Sequence, residues 1–177
     1  MIRIFDFLFS LIGLIFLSPL IILIFFIGLF ENSSPLFIQS RVGYNLKSFS
    51  LIKFRTMPMG VRSAGTHLIK NIKLTSFGNF LRRTKIDEIP QLLNVLLGDM
   101  SLVGPRPCLL NQKKLINERK KRGVYKVRPG ITGLAAINGI DMKTPTLLAK
   151  TDQKMIKNMS LYNYFYYIFK TIFKIIL

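Results

Sequence analysis

The chain has 177 residues, 50% of them hydrophobic, and a formal net charge of +18 from 26 basic and 8 acidic side chains. A single cysteine, Cys108, excludes an internal disulfide framework and a Cys-rich zinc site, and a single histidine, His67, leaves little for a Ser-His-Asp triad or a His-based metal centre. Chemistry must rest on carboxylates, lysines, arginines and a bound cation, within one modest domain plus a membrane segment. Cys108 reads as a packing residue and His67 as a solvated loop residue. Apart from Arg3 and Asp6 every charge lies after Phe30, so the polar part carries the whole positive balance and suits anionic lipid headgroups. With half the residues apolar, a lipid surface is favoured over nucleic acid or charge for mere solubility.

From Phe7 to Phe30 no residue is charged. A straight helix of that length is roughly 36 Å long and can span a bilayer. A secretory signal is disfavoured, because a basic start and a small-residue cleavage site are lacking. Ser18-Pro19 falls in the middle, and proline removes a backbone donor and clashes with the preceding turn. A bend or break is therefore predicted between halves of roughly 17 Å each, about half the hydrocarbon thickness. Two geometries follow. One is a kinked spanning helix, the commoner case by composition; the other is a re-entrant hairpin in which Ser18 bonds carbonyls freed by Pro19. In the hairpin, Arg3 and Asp6 would share the headgroup layer with the basic domain.

Glu31 to Pro35 reads as a linker. Strands are predicted over residues 36–42 and 49–54 as a hairpin around Gly43-Tyr44-Asn45-Leu46-Lys47. Residues 58–73 read as a surface loop and 74–83 as a helix. Pro90 is tolerated in a first turn, which places a helix start near 86–89, with Gly98 to end it. Asp87 and Glu88 then sit at a helix N-terminus, where the macrodipole favours carboxylates and a nearby phosphate. Gly104-Pro105-Arg106-Pro107 is a rigid turn fixing an arginine. The basic run from Lys113 to Arg128 reads as a solvated or lipid-facing surface. Arg128-Pro129-Gly130-Ile131-Thr132-Gly133 reads as a turn, and the tail from Ser160 as an interfacial helix with Asn163, Tyr167, Lys170 and Lys174 on one stripe.

Several of these pieces form an ordered set. Phe5-Asp6 precedes the apolar run and Ser18-Pro19 interrupts it. Gln39-Ser40-Arg41-Val42-Gly43, Lys53-Phe54-Arg55-Thr56-Met57 and Leu74-Thr75-Ser76-Phe77-Gly78 follow. Phe80-Leu81-Arg82-Arg83-Thr84 then leads into Asp87-Glu88-Ile89-Pro90-Gln91. Gly98-Asp99-Met100-Ser101-Leu102-Val103-Gly104-Pro105-Arg106-Pro107 and Pro129-Gly130-Ile131-Thr132-Gly133 complete it. In this order the chain resembles the bacterial sugar transferases, the monotopic phosphoglycosyl transferases that start glycan assembly on polyprenol phosphate.

The resemblance implies an α+β, mainly helical monotopic membrane protein. Residues 1–30 would form a re-entrant helix-break-helix hinged at Ser18 and Pro19, and residues 31–177 a catalytic domain with a small β-hairpin and interfacial amphipathic helices. It would sit on the cytoplasmic face of a bacterial inner membrane, against anionic lipids. Asp87 would attack the sugar-bearing phosphorus of a UDP-sugar, release UMP and pass the phosphosugar to undecaprenyl phosphate, the first membrane step of surface glycan synthesis. Glu88 would ligate Mg²⁺, and Arg106, Arg82, Arg83, Lys53 and Arg55 would bind substrate phosphates. Downstream glycosyltransferases are the implied protein partners, and no nucleic acid is implied.

The chain departs from the family where members continue Gly-Trp-Ala-Gln-Val-Asn-Gly-Arg: Leu134, Ala136 and Ile140 replace the tryptophan, glutamine and final arginine. Met155 stands where a tyrosine is common. These changes point to altered nucleotide-sugar contacts or membrane seating. Two rival classes are a membrane-tethered nucleic-acid binder, for which no RNP, zinc-finger or helix-turn-helix pattern is present, and a non-catalytic scaffold for glycan enzymes.

Overall fold

A computed structural model describes residues 1–32, 34–58 and 75–176. The 59–73 part of the predicted surface loop, with His67, lies outside them, as does Leu74 at the start of the helix read over 74–83. Helix α1 runs from Ile2 to Asn32 without interruption, Pro19 inside it, and takes in the first two residues of the predicted linker. The predicted break is therefore not a break in helical backbone. Pro19 lacks the N–H that would bond the Ile15 carbonyl, and the Ser18 hydroxyl donates to that same carbonyl at 2.8 Å. Supplying the missing donor locally is a known way for a helix to pass a proline.

Both ends of α1 are fastened to the same body. Arg3 donates to the carbonyls of Met100 and Leu96, each at 3.2 Å. Asp6 is buried, and one of its oxygens accepts from the Ser101 hydroxyl, the Leu102 amide and the Tyr164 hydroxyl, each at 2.9 Å. Within the protein Asp6 is the polar centre joining α1, the strand of Ser101 and Leu102, and the C-terminal helix, a role that no local feature of the sequence signals. At the far end Ile24 packs with Phe54 and Leu81 in one cluster, and Gly28 lies against Pro35. The remaining faces are bare: Phe16 is 81% and Phe30 90% exposed. Asp6→Ala strands three donors, and hydrogen bonds to a charged group are worth about 1.5–3 kcal/mol each. A loss of about 3 kcal/mol or more is expected, read as a drop in Tm of roughly 6–12 °C in detergent. Asp6→Asn, which keeps an acceptor, should lose less.

Strands β1 (Leu36–Val42) and β2 (Ser48–Phe54) pair antiparallel from Leu36 opposite Phe54 to Val42 opposite Ser48. Their turn carries Asn45 and Leu46 in left-handed conformation. Helix α2 (Ser76–Arg83) starts where Thr75 caps it, accepting from the Gly78 amide at 2.9 Å. Helix α3 (Gln91–Leu97) ends at Gly98 with φ 91°, as its position after the apolar run predicts. Buried Asn94 ties α3 to β2: its Oδ1 accepts from the Ile52 amide at 3.0 Å and its Nδ2 donates to the Ser50 carbonyl at 2.8 Å. That double bond fixes where the start of α3 stands relative to Lys53.

Strand β3 (Ser101–Val103) pairs parallel with β4 (Gly130–Thr132), a stretch that the sequence presents as a turn. The pairing draws two backbones together. A Cβ on Gly130 would lie 2.0 Å from the Gly104 nitrogen, and one on Gly104 would lie 2.5 Å from the Arg128 carbonyl oxygen. Neither position accepts a side chain without displacing the turn that carries Arg106. Helices α4 (Lys113–Lys121), α5 (Leu134–Ile137), α6 (Pro145–Lys157) and α7 (Leu161–Ile176) complete the chain. Cys108 packs with Val42, Leu115, Ala135 and Leu148, as its lone occurrence suggests. On α7 the buried face is Tyr164 and Tyr167, packed with Val103 and Met155 and against Ile2 and Phe5 of α1. Tyr167 therefore leaves the polar stripe assigned to it from spacing, while Tyr162, Phe169 and Phe173 are exposed.

Candidate active site

Asp87 and Glu88 lie in a single 3₁₀ turn, Ile86–Glu88, wedged between α2 and α3. Lys85 opens the turn with φ 60°, an unusual conformation for a side chain of that size and a local strain at the edge of the site. Both carboxylates are buried, Asp87 at 4% exposure and Glu88 at 9%. Their surroundings differ. Among the described residues Asp87 accepts no hydrogen bond, whereas Glu88 is gripped by the forked guanidinium of Arg106, Nη2 on Oε1 and Nη1 on Oε2.

The electrostatics separate the pair accordingly. Burial, then the charge of Glu88, pushes the Asp87 carboxyl above the usual aspartate range, against the opposing charges of Lys53, Arg82 and Lys85. Burial also pushes Glu88 upwards, but the charge and hydrogen bonds of Arg106 outweigh it and hold Glu88 below its ordinary value. One carboxylate is thus a fixed anion locked to an arginine. Its neighbour is a more basic oxygen in a cationic pocket, with no hydrogen-bond partner among the described residues. Adjacent titratable groups driven apart by their environments are what a divided catalytic role requires.

Arg106 is placed from behind. Arg119 donates from Nη1 to the Arg106 carbonyl at 2.8 Å and from Nε to Asp152 Oδ2 at 2.9 Å, with both members of that ion pair almost fully buried. Arg41 donates to the neighbouring Pro107 carbonyl at 3.2 Å, and burial, with the nearby charge of Arg106, pulls its guanidinium down to about 10. The basic run from Lys113 reads as surface, yet Arg119 points inward, because one residue in each turn of α4 must face the core. Neither Arg119 nor Arg41 was singled out from the sequence. The burial of Arg119 would have needed the α4–α6 contact to be known.

The other predicted phosphate binders divide. Lys53 and Arg82 reach Asp87 electrostatically, and Arg82 Nε donates to Thr56 Oγ1 at 2.7 Å. Burial lowers the Lys53 ammonium. Arg83 and Lys85 line a cavity of about 480 Å³ together with Glu88 and Arg106. Arg55 instead holds the base of the hairpin, donating to the Ser34 carbonyl at 3.0 Å and the Leu36 carbonyl at 3.2 Å, and lies over the Phe37 ring. Ser18 and Pro19 are in α1, where the Ser18 hydroxyl serves the helix itself.

A second, more polar cavity of about 500 Å³ adjoins the first, lined by Arg41, Lys53, Lys85, Arg106, Asp141 and Lys143 among others. Ala136 and Ile140 stand in its wall. Two of the four departures from the family pattern therefore fall where a bound polar molecule would be touched. Leu134 and Met155 instead pack into the core, with the Leu134 amide 3.2 Å from the Met155 sulfur.

The donor chemistry suits Mg²⁺. That ion is usually held by one or two carboxylates together with substrate phosphates rather than by an all-protein cage. Among the described residues no three Asp, Glu, His or Cys side chains converge, so Asp87 and Glu88 are the pair available. Each Glu88 oxygen keeps a further lone pair beside the one taken by the Arg106 fork, and Asp87 accepts no hydrogen bond among the described residues, so both carboxylates have an oxygen to offer such an ion.

A family model described as bacterial sugar transferase matches residues 1–177, and the chain belongs to that family. Sugar transferase EpsL of Bacillus subtilis is 50% identical over 107 residues, covering 60% of this chain and 52% of that protein. Exopolysaccharide production protein ExoY of Sinorhizobium fredii is 32% identical over 188 residues, covering 96% of this chain and 83% of that protein. The UDP-glucose:undecaprenyl-phosphate glucose-1-phosphate transferase of Escherichia coli is 37% identical over 173 residues, 91% of this chain but 37% of that protein. The chain thus spans about half the length of the first of these relatives and little more than a third of the last.

Proposed function

We propose that the protein transfers a sugar 1-phosphate from a UDP-sugar to a polyprenyl phosphate at a membrane surface, the first membrane step in building a surface glycan. The observation that carries this reading is a buried Asp87, without a hydrogen bond among the described residues, beside a Glu88 locked to Arg106. A nucleophile must be free to move onto its target, and Asp87 has no hydrogen bond among the described residues to give up, whereas Glu88 is held by the Arg106 fork. Its oxygen attacks the phosphorus bearing the sugar; the bond to the bridging oxygen of the diphosphate breaks, and UMP leaves. An oxygen of the lipid phosphate then attacks the same phosphorus and returns Asp87 as a carboxylate. Arg82, Lys53 and Lys85 offset negative charge around Asp87, and the Glu88 anion keeps the Arg106 fork in one geometry. Bound Mg²⁺, met by Asp87 and within reach of Glu88, would neutralise the diphosphate. Such catalysis is largely positioning and charge stabilisation.

UMP release from a panel of UDP-sugars, UDP-glucose first, with undecaprenyl phosphate present tests the reaction. No release from any donor would sink it. EDTA should stop turnover, and Mg²⁺ should restore it. Glu88→Gln should lower activity by roughly 100-fold or more, on the scale of removing one preorganised group, and raise the Mg²⁺ concentration needed. Full activity in EDTA would remove the metal from the scheme.

The seating of α1 supports a monotopic rather than a spanning arrangement. Asp6 and Ile24 are separated by roughly 27 Å of helix, comparable with a hydrocarbon core, yet both pack on one domain. A helix crossing the bilayer would carry one of those contacts to the opposite face. The bare apolar faces of α1 and α7 then lie in the lipid, on the cytoplasmic side of the membrane. Met1→Cys and Lys126→Cys should both react with impermeant maleimide in inside-out vesicles and neither in intact cells; labelling of position 1 in intact cells would refute this topology.

A further inference from the structure

The two cavities share a wall of Lys85, Arg106, Ile131, Thr132, Ala136 and Gly139, but beyond it their linings differ in kind. The polar one suits a nucleotide sugar. The other, of about 480 Å³, is walled on its own side by Ile89, Leu92 and Ile137, and has Arg83 and Lys174 at its edge. Its apolar wall is continuous with α1, since Leu92 packs directly on Gly13. Helix α7 closes one side: the Thr171 hydroxyl is hydrogen-bonded to that of Thr132, and Lys174 Nζ donates to the Ile137 carbonyl at 3.1 Å. An ammonium has three donors, so Lys174 keeps two for a ligand. At the inner end stand Glu88 and Arg106. A groove that begins at a lipid-facing helix, is lined by branched hydrocarbon and ends in cations beside Glu88, the chain neighbour of Asp87, fits one chemistry: a hydrocarbon chain with a phosphate head.

The geometry points to this groove as the seat of the polyprenyl phosphate acceptor, with Lys174 and Arg83 recognising its phosphate; the inference rests on the two-step reading above. An acceptor phosphate oxygen forms a bond to the phosphorus carried by Asp87 as the bond from that phosphorus to the Asp87 oxygen breaks. The electron pair returns to the carboxylate, and no proton acceptor or redox partner is needed. Donor and acceptor thereby occupy adjoining cavities that share the wall of Lys85 and Arg106, next to the turn that carries Asp87, and the tail helix belongs to the second half-reaction.

The test uses the full chain in nanodiscs, with the UDP-sugar selected by the panel and undecaprenyl phosphate added afterwards. Wild type should release UMP and gain the phosphosugar mass before lipid is added; if it does not, the two-step reading fails and the groove assignment with it. Lys174→Glu should show the same burst and adduct but require tenfold or more undecaprenyl phosphate for half-maximal discharge. Lys174→Arg should restore most of the loss. Thr171→Trp, which narrows the groove without changing charge, should raise the acceptor requirement in the same way. With wild-type bursting, unchanged acceptor dependence in both Lys174→Glu and Thr171→Trp would overturn the assignment. So would loss of the burst in Lys174→Glu, which would give the groove to the donor. Weakened binding of Lys174→Glu to phosphatidylglycerol vesicles with unaltered discharge would also overturn it, leaving Lys174 as an ordinary headgroup contact.

Discussion

Asp87→Asn is expected to abolish both the lipid-independent release of UMP and the covalent phosphosugar adduct, and to lower turnover by roughly 10⁴-fold or more, the scale seen when a covalent nucleophile is removed. Asparagine has nearly the same shape, and Asp87 accepts no hydrogen bond among the described residues, so the substitution strands no partner. The Glu88–Arg106 fork, the cations around the site and the packing of α1 should remain. Membrane binding and Tm are therefore expected to stay near wild type, which separates loss of chemistry from loss of fold. Stoichiometric UMP in the first turnover, measured without lipid, together with a mass gain on the peptide containing Asp87, is the wild-type signature. A direct transfer within a ternary complex would release no UMP until undecaprenyl phosphate arrived. That outcome, with a verified donor, would take the nucleophilic role away from Asp87.

What the sequence made legible was local. Two short runs flanking the turn at Gly43-Tyr44-Asn45-Leu46-Lys47 marked the β1–β2 hairpin, the Pro90 start and Gly98 stop marked α3, and the acidic pair in a basic chain marked the site. What it hid depends on partners distant along the chain. Asp6 meets Leu102 and Tyr164 across 96 and 158 residues, so its burial has no local signal. The β3–β4 pair is three residues on each side, too short for alternation to register, and its parallel register is set by the contact of two glycines. Of the two geometries open to the apolar run, α1 keeps an uninterrupted helix rather than the helix-break-helix that the resemblance implies: Pro19 does remove a donor, but the hydroxyl one residue earlier supplies the Ile15 carbonyl. Arg55 matched a motif and reads equally well as a phosphate binder; only the positions of the Ser34 and Leu36 carbonyls show that it anchors the hairpin base.

Arg119 and Asp152 are expected to separate stability from catalysis. Asp152→Ala leaves the Arg119 guanidinium buried without its counter-charge, and breaking a buried pair in this way costs about 3–5 kcal/mol. At this chain length that is a fall in Tm of roughly 6–20 °C. Replacing both members with apolar residues of similar volume, Arg119→Met with Asp152→Leu, removes the stranded charge, and such exchanges are often neutral or stabilising. Stability should then return while activity does not. The Arg106 carbonyl has lost its donor, so the turn bearing the fork is no longer held from behind. A displacement of about 1 Å in a positioned group can cost on the order of 100-fold in rate, and a loss of tenfold or more is expected in the double variant. The Glu88–Arg106 pair itself would still be present, so the defect should appear in the rate of UMP release rather than in membrane binding. A double variant that is both stable and fully active would show that Arg119 serves packing alone. In that case the two prolines flanking Arg106, with Arg41 on the Pro107 carbonyl, would suffice to aim it.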